Sequence, residues 1–155
     1  MLDQPVKTPC IGVCSTGIGD AVCRGCKRFS HEVIDWNGYS QEQKRLIDRR
    51  LDGFLAQCVG NKLRVIDPAL LRWQLETQQI RFAEHHSSYS WVYRLLKAGA
   101  GQIDNCRDFG FELEPAYART PLGELVEAID LEFYTLSCAH YERYFVAPSR
   151  LARPA

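Results

Sequence analysis

Cys10, Cys14, Cys23 and Cys26 fall within 17 residues, in the spacing C-x3-C-x8-C-x2-C. Two close-spaced pairs joined by a small loop are what a tetrathiolate metal site requires. Each pair turns tightly enough for both sulfurs to face one point, and the loop carries the second pair opposite the first. Gly25, inside the second pair, lets the backbone fold over a sulfur, so that nearby amides can donate to a thiolate. Residues 8–28 contain no apolar periodicity able to fold alone, so a bound metal would organise them. A redox dithiol at Cys23–Cys26 is the competing reading. It calls for a strand before the pair and a long helix after it, whereas a glycine-rich segment precedes it and a short helix follows.

The remaining cysteines, Cys58, Cys106 and Cys138, are isolated and read as small core residues. The total of seven is odd, so complete internal disulfide pairing is ruled out. The N-terminal sequence carries no basic start followed by an apolar run, which predicts no secretory signal. No stretch of about 18 apolar residues occurs, so no membrane partner is expected. A cytoplasmic, reducing location follows as the expectation, with thiols free or on metal.

Thiolate softness suits zinc and iron–sulfur clusters alike. Four thiolates with Zn²⁺, or with an oxidised [4Fe–4S]²⁺ core, both sum to −2. The cations Arg24, Lys27 and Arg28 read as compensation for either. The longer pattern is Pro9-Cys10-x3-Cys14-x8-Cys23-Arg24-Gly25-Cys26-Lys27-Arg28, then Glu32-x3-Trp36, then Tyr39-Ser40-x2-Gln43-Lys44. It resembles the bacterial family known as domain of unknown function 1289, whose members are commonly labelled predicted iron–sulfur proteins. The resemblance spans about residues 8–51. It implies ligands at Cys10, Cys14, Cys23 and Cys26 and an iron–sulfur cofactor, with one Zn²⁺ as the alternative, and it supplies no reaction. Phe29 departs from the pattern, since family members often carry Thr there.

Ser30 is expected to cap a short helix over His31–Trp36, ended by Asn37-Gly38. Ser40-x2-Gln43 predicts a capping box and a helix to about Gln57, with Leu46, Ile47, Leu51, Phe54 and Leu55 on one stripe. Residues 61–66 read as a connector or brief strand. Asp67-Pro68 starts a helix running to about His85, and Ser90 caps another over Trp91–Ala98, closed by glycines. A short turn around Ile103–Phe109 stops at Gly110. Thr120-Pro121 opens the longest helix, with Leu122, Leu125, Val126, Ile129, Phe133, Leu136, His140 and Tyr144 on its buried face. The expected architecture is all-α. A small four-cysteine module with its helix (1–58) precedes a helical extension (59–147) and a frayed tail (148–155), with about four to five helices in the bundle.

His85-His86 and His140 invite a second metal site, but neighbours one or two apart on a helix face different ways, so buried or surface histidines are expected instead. No Walker loop, Rossmann glycine pattern, G-x-S-x-G or H-E-x-x-H occurs. The formal net charge is +0, yet it is unevenly placed: residues 24–50 carry +3 and residues 104–132 carry −6. The first functional expectation is a cytoplasmic metal-binding accessory protein, serving electron transfer or redox sensing, whose helical region docks a protein partner. The alternative is a structural zinc module for protein or nucleic-acid contact, with Trp36 and Tyr39 available for stacking. An enzyme ranks last, because no acid–base pair or nucleophile stands out.

Overall fold

Paired side-chain caps set the two best-defined helix starts. Gln43 N–H donates to Ser40 Oγ at 3.2 Å while Ser40 N–H donates to Gln43 Oε1 at 2.8 Å, the expected capping box. It opens α2, Gln41–Gly60. Asp67 Oδ1 accepts from Leu70 N–H at 3.1 Å with Pro68 at the first position, opening α3, Pro68–Thr77. The computed structural model describes residues 5–12 and 14–148. The remaining helices are α1, Ser30–Asp35, α4, Ser88–Gly99, and α5, Leu122–Tyr141, making five α-helices among the described residues. Apart from Pro148, the tail lies outside the described residues.

The all-α expectation needs one correction. Leu63–Val65 and Phe111–Leu113 form an antiparallel pair, β1 and β2, in which Leu63 faces Leu113 and Val65 faces Phe111. Arg64 and Glu112 sit opposite one another and form an ion pair, a cross-strand pairing of opposite charges. The connector therefore is a strand, whose partner lies almost fifty residues onward.

Gly110 makes this pairing possible. Its carbonyl accepts both Ile66 and Asp67 N–H, at 2.8 and 2.9 Å, and its φ is +83°. A Cβ there would all but touch the Asp67 carbonyl and would lie 3.0 Å from Leu71 N. Gly110→Ala is expected to cost about 1–3 kcal/mol, from positive φ and overpacking together. A urea denaturation curve checks this; an unchanged midpoint would mean the turn relaxes freely.

Three helix details also differ from expectation. α3 stops at Thr77 rather than near His85 because Gln79 takes φ +57°. Ile80 N–H then reaches back to the Leu75 carbonyl at 2.9 Å and Gln79 N–H to Glu76 at 3.1 Å, a Schellman ending. His85 and His86 therefore lie off the helix, with ring centroids 4.5 Å apart, so the helix-face argument does not apply to them. α4 is capped by Ser87, whose Oγ accepts from Tyr89 N–H at 3.2 Å. Ser90 is instead buried and donates to Asp52 Oδ1 at 2.6 Å.

The chain forms two compact units, Met1–Leu51 with Phe133–Ala155, and Asp52–Glu132. The sequence reading divides it after residue 58 instead. The second unit has a core of Val59, Leu63, Leu71, Leu75, Val92, Leu95, Leu96, Phe111, Leu125 and Ile129, all buried. Lys62 is buried beside this core, and its Nζ donates to Glu132 at 2.7 Å. Among the described residues no helix is long and apolar enough to cross a membrane.

Candidate metal centre

A tight hairpin carries the second cysteine pair. Val22 and Phe29 form an antiparallel bridge. Cys23 N–H donates to the Arg28 carbonyl at 2.9 Å, and Lys27 N–H to the Cys23 carbonyl at 2.8 Å. The turn between them closes with Lys27 at φ +64°. The sequence reading gives Gly25 the conformational freedom, but the left-handed residue is Lys27. A non-glycine residue there costs about 1–2 kcal/mol, a strain that persists only where its surroundings impose it. Lys27 is buried, its Nζ donating to the Gly25 carbonyl at 3.1 Å and lying 5.4 Å from the Phe133 ring centre.

This hairpin surrounds one sulfur with donors. Burial alone would raise the Cys23 thiol. Hydrogen bonds from the backbone of Cys26, Ser15 and Gly25, and from the Cys26 thiol, outweigh it and bring it down to about 7. Burial pushes the Cys26 thiol up, against a hydrogen bond from Arg28. The hairpin thus eases ionisation of one thiol and opposes it at its neighbour. Amides gathered around a sulfur are what the cysteine spacing predicts for a thiolate ligand.

The first cysteine pair is placed differently. Cys10 and Cys14 are exposed, whereas Cys23 and Cys26 are buried. Cys10 Sγ accepts from Gly12 N–H at 3.4 Å, and Cys14 Sγ lies 3.0 Å from Thr16 Oγ1. No three of the four sulfurs lie mutually within 4.8 Å. The fold therefore joins Cys23 to Cys26 and leaves Cys10 and Cys14 on the preceding loop. Ser15 links the halves: its backbone hydrogen-bonds Cys23, and its Oγ accepts from Arg24 N–H at 2.8 Å. The residue after Cys14 is therefore in contact with Cys23. Four soft thiols with amide donors already on one of them are a donor set that suits zinc or an iron–sulfur cluster.

Glu32 holds the hairpin to the helices. It is buried, and Arg50 grips it through two nitrogens, at 2.7 and 2.6 Å. Glu32 Oε1 also accepts from Phe29 N–H at 2.9 Å. The side chain that caps α1 is thus Glu32, reaching back, rather than Ser30. Phe29 is 1% exposed. Arg50 lies 4.1 Å above its ring, and Tyr141 and Phe145 stand at 5.2 and 5.3 Å. His140 stacks on it at 5.9 Å, in keeping with a packed histidine.

α5 supplies this cover through residues four apart. Phe133 meets Lys27 and Tyr141 meets Phe29. Between them Ser137 is buried, and its Oγ has no hydrogen-bond partner. An orphaned hydroxyl on the helix face turned toward the cysteine hairpin is a donor without an acceptor. Tyr144 is exposed instead of buried, because a π-turn over Glu142–Val146 shifts the register of the last residues. Of the isolated cysteines, Cys58 is buried, and Cys106 and Cys138 are partly so.

The sequence reading missed Glu32–Arg50 as a pair and Arg28 as a donor to one named sulfur. The Glu32-x3-Trp36 part of the motif marked Glu32, but nothing in spacing pointed to Arg50. Trp36 is buried with the Arg28 guanidinium at 4.9 Å and the Lys44 ammonium at 5.4 Å from its ring centre.

A family described as "Protein of unknown function (DUF1289)" matches residues 8–54, the span of the cysteines, α1 and most of α2. A curated relative, "Uncharacterized protein YdhL" of Escherichia coli O6:H1, is 37% identical over 65 residues, which is 42% of this chain and 76% of that protein. No solved structure matches the chain.

Proposed function

The chain belongs to the DUF1289 family, and from its four cysteines we propose that it is a cytoplasmic metal-binding accessory protein, its metal an iron–sulfur cluster held by Cys10, Cys14, Cys23 and Cys26. The observation that carries this reading is the hairpin that folds Cys23 and Cys26 together, closed by Cys23 N–H on the Arg28 carbonyl and Lys27 N–H on the Cys23 carbonyl and joined to the first pair through Ser15 Oγ, which accepts from Arg24 N–H. It brings two thiols of the spaced set to one turn, next to the Arg28 Nε–H that donates to Cys26 Sγ. Closure of the site requires the 10–14 loop to bring its two sulfurs to the pair already formed, with Ser15 as the existing point of contact.

A cluster with four protein thiolates leaves no iron open to a substrate. Electron transfer or redox sensing follows, with the helical second unit docking a protein partner. The same donor set takes a single Zn²⁺, and then the role is structural, for protein or nucleic-acid contact.

Anaerobic purification followed by iron, sulfide and zinc analysis decides between these. The expected result is a brown protein absorbing near about 400 nm, the rough region for thiolate-bound clusters. A colourless protein with stoichiometric zinc replaces the cluster with the structural zinc reading. A protein that takes up neither metal, and whose cysteines cycle only between thiol and disulfide, removes both.

A further inference from the structure

Arg28 is 3% exposed. Its guanidinium sits 4.9 Å from the centre of the Trp36 ring, and its Nε–H donates to Cys26 Sγ at 3.2 Å. Among the described residues no carboxylate pairs with it. The nearby buried acid, Glu32, is already engaged by Arg50 and by Phe29 N–H. An arginine does not shed its proton inside a protein. A buried cation without an anion costs several kcal/mol, and a π-face returns only about 2 of them. The anion that this position lacks is a thiolate.

A coordinating thiol is deprotonated outright by its metal. Metal occupancy at the cysteines therefore completes the ion pair of Arg28, and metal loss strands it. We propose that Arg28 is the positioning residue of the cysteine site: its guanidinium, seated over the Trp36 ring, aims one charge-assisted hydrogen bond at Cys26 and serves as the buried counter-charge of the thiolates. This rests on the reading of the four cysteines as a metal site. It distinguishes Arg28 from Arg24, whose side chain is exposed and paired with Asp20 at 3.2 Å, and which is left as an ordinary surface cation.

The proposal gives Arg28 opposite effects in the two states of the protein. With metal bound it stabilises; without metal it destabilises, because exchanging a buried unpaired charge for an apolar side chain is neutral or favourable. A merely structural arginine would lower the stability of both.

The test uses the full chain and Zn²⁺ alone as probe. Wild type, Arg28→Met and Arg28→Lys are compared by chelator competition for Zn²⁺ and by thermal melting of the metal-free form. Arg28→Met is expected to weaken Zn²⁺ binding about 10–100-fold, the usual loss when an outer-shell partner is removed. Its metal-free melting temperature is expected to equal or exceed that of wild type. Arg28→Lys, which keeps the charge without the planar fork, is expected to recover part of the affinity. Wild-type affinity in Arg28→Met, or a lowered metal-free melting temperature with affinity intact, overturns the role of Arg28 and leaves the cysteine reading standing. If Arg28→Met does not fold, Arg28→Gln replaces it under the same two criteria. Failure of wild type to bind Zn²⁺ removes the cysteine site itself, and this proposal with it.

Discussion

Serine in place of any one of Cys10, Cys14, Cys23 or Cys26 is expected to abolish stable metal binding. A serine hydroxyl is not ionised at neutral pH and is a hard donor, so three soft ligands remain where four are required. Structural Zn²⁺ binding by such sets amounts to about 10–16 kcal/mol, and that energy is folding energy for the segment it organises. The four variants are not equivalent as tests. Cys23 and Cys26 already touch one another inside the hairpin, so their loss could act through the local fold. Cys10 and Cys14 are exposed and anchor no core, so nothing but coordination makes them matter. Metal content of purified Cys10→Ser and Cys14→Ser is therefore the decisive measurement. Both retaining a full complement of metal would reduce the site to the Cys23–Cys26 pair and end the tetrathiolate reading. The same substitutions are expected to leave the unfolding free energy of the metal-free chain within about 0.5 kcal/mol of wild type, the usual effect of a surface exchange.

Local chemistry was legible in the sequence, and distant pairing was not. The Ser40–Gln43 box and the Asp67-Pro68 start are each written within four residues, and both form as expected. The hairpin around Cys23 and Cys26 is equally local. By contrast, β1 and β2 find each other across the length of α3 and α4, and two three-residue strands give too little alternation to announce a sheet. The end of α3 turned on Gln79 adopting a conformation usually given to glycine or asparagine, which no composition rule assigns to glutamine. The expected buried face of the last helix fails at Tyr144, which is exposed, for a related reason. A π-turn adds a residue to the local period, so a 3.6-residue projection loses register beyond Tyr141.

Phe29 joins the two kinds of information. It is bridged to Val22 beside the cysteine hairpin, and it is the residue covered by His140, Tyr141 and Phe145. A threonine there would offer those rings little to pack against. The cysteine module and the aromatic end of α5 belong to one packing arrangement. That is why Phe133 onward groups with residues 1–51 rather than with the helices that precede it. The sequence groups Arg24, Lys27 and Arg28 together, whereas the structure buries Arg28 and leaves Arg24 exposed beside Asp20, because sequence spacing does not tell an inward guanidinium from an outward one.

Glu32→Ala is expected to cost about 3–5 kcal/mol, the usual penalty for removing one partner of a buried pair. Glu32 is 5% exposed and accepts three hydrogen bonds, two from Arg50 and one from Phe29 N–H. Its removal leaves the Arg50 guanidinium against the Phe29 ring without a counter-charge, and uncaps α1. Since α1 follows the hairpin directly, the loss falls on the segment that carries Cys26 and Arg28. Chemical denaturation of the metal-free chain measures it. Glu32→Gln separates the contributions: it keeps an acceptor for Phe29 N–H and gives up the charge, so it is expected to fall between wild type and Glu32→Ala. The double variant Glu32→Ala with Arg50→Met is expected to be more stable than Glu32→Ala alone, because the second change removes the stranded cation. Additive losses in that cycle would mean that the two side chains act independently, and that the hairpin is held by the packing of Phe29 rather than by the ion pair beneath it.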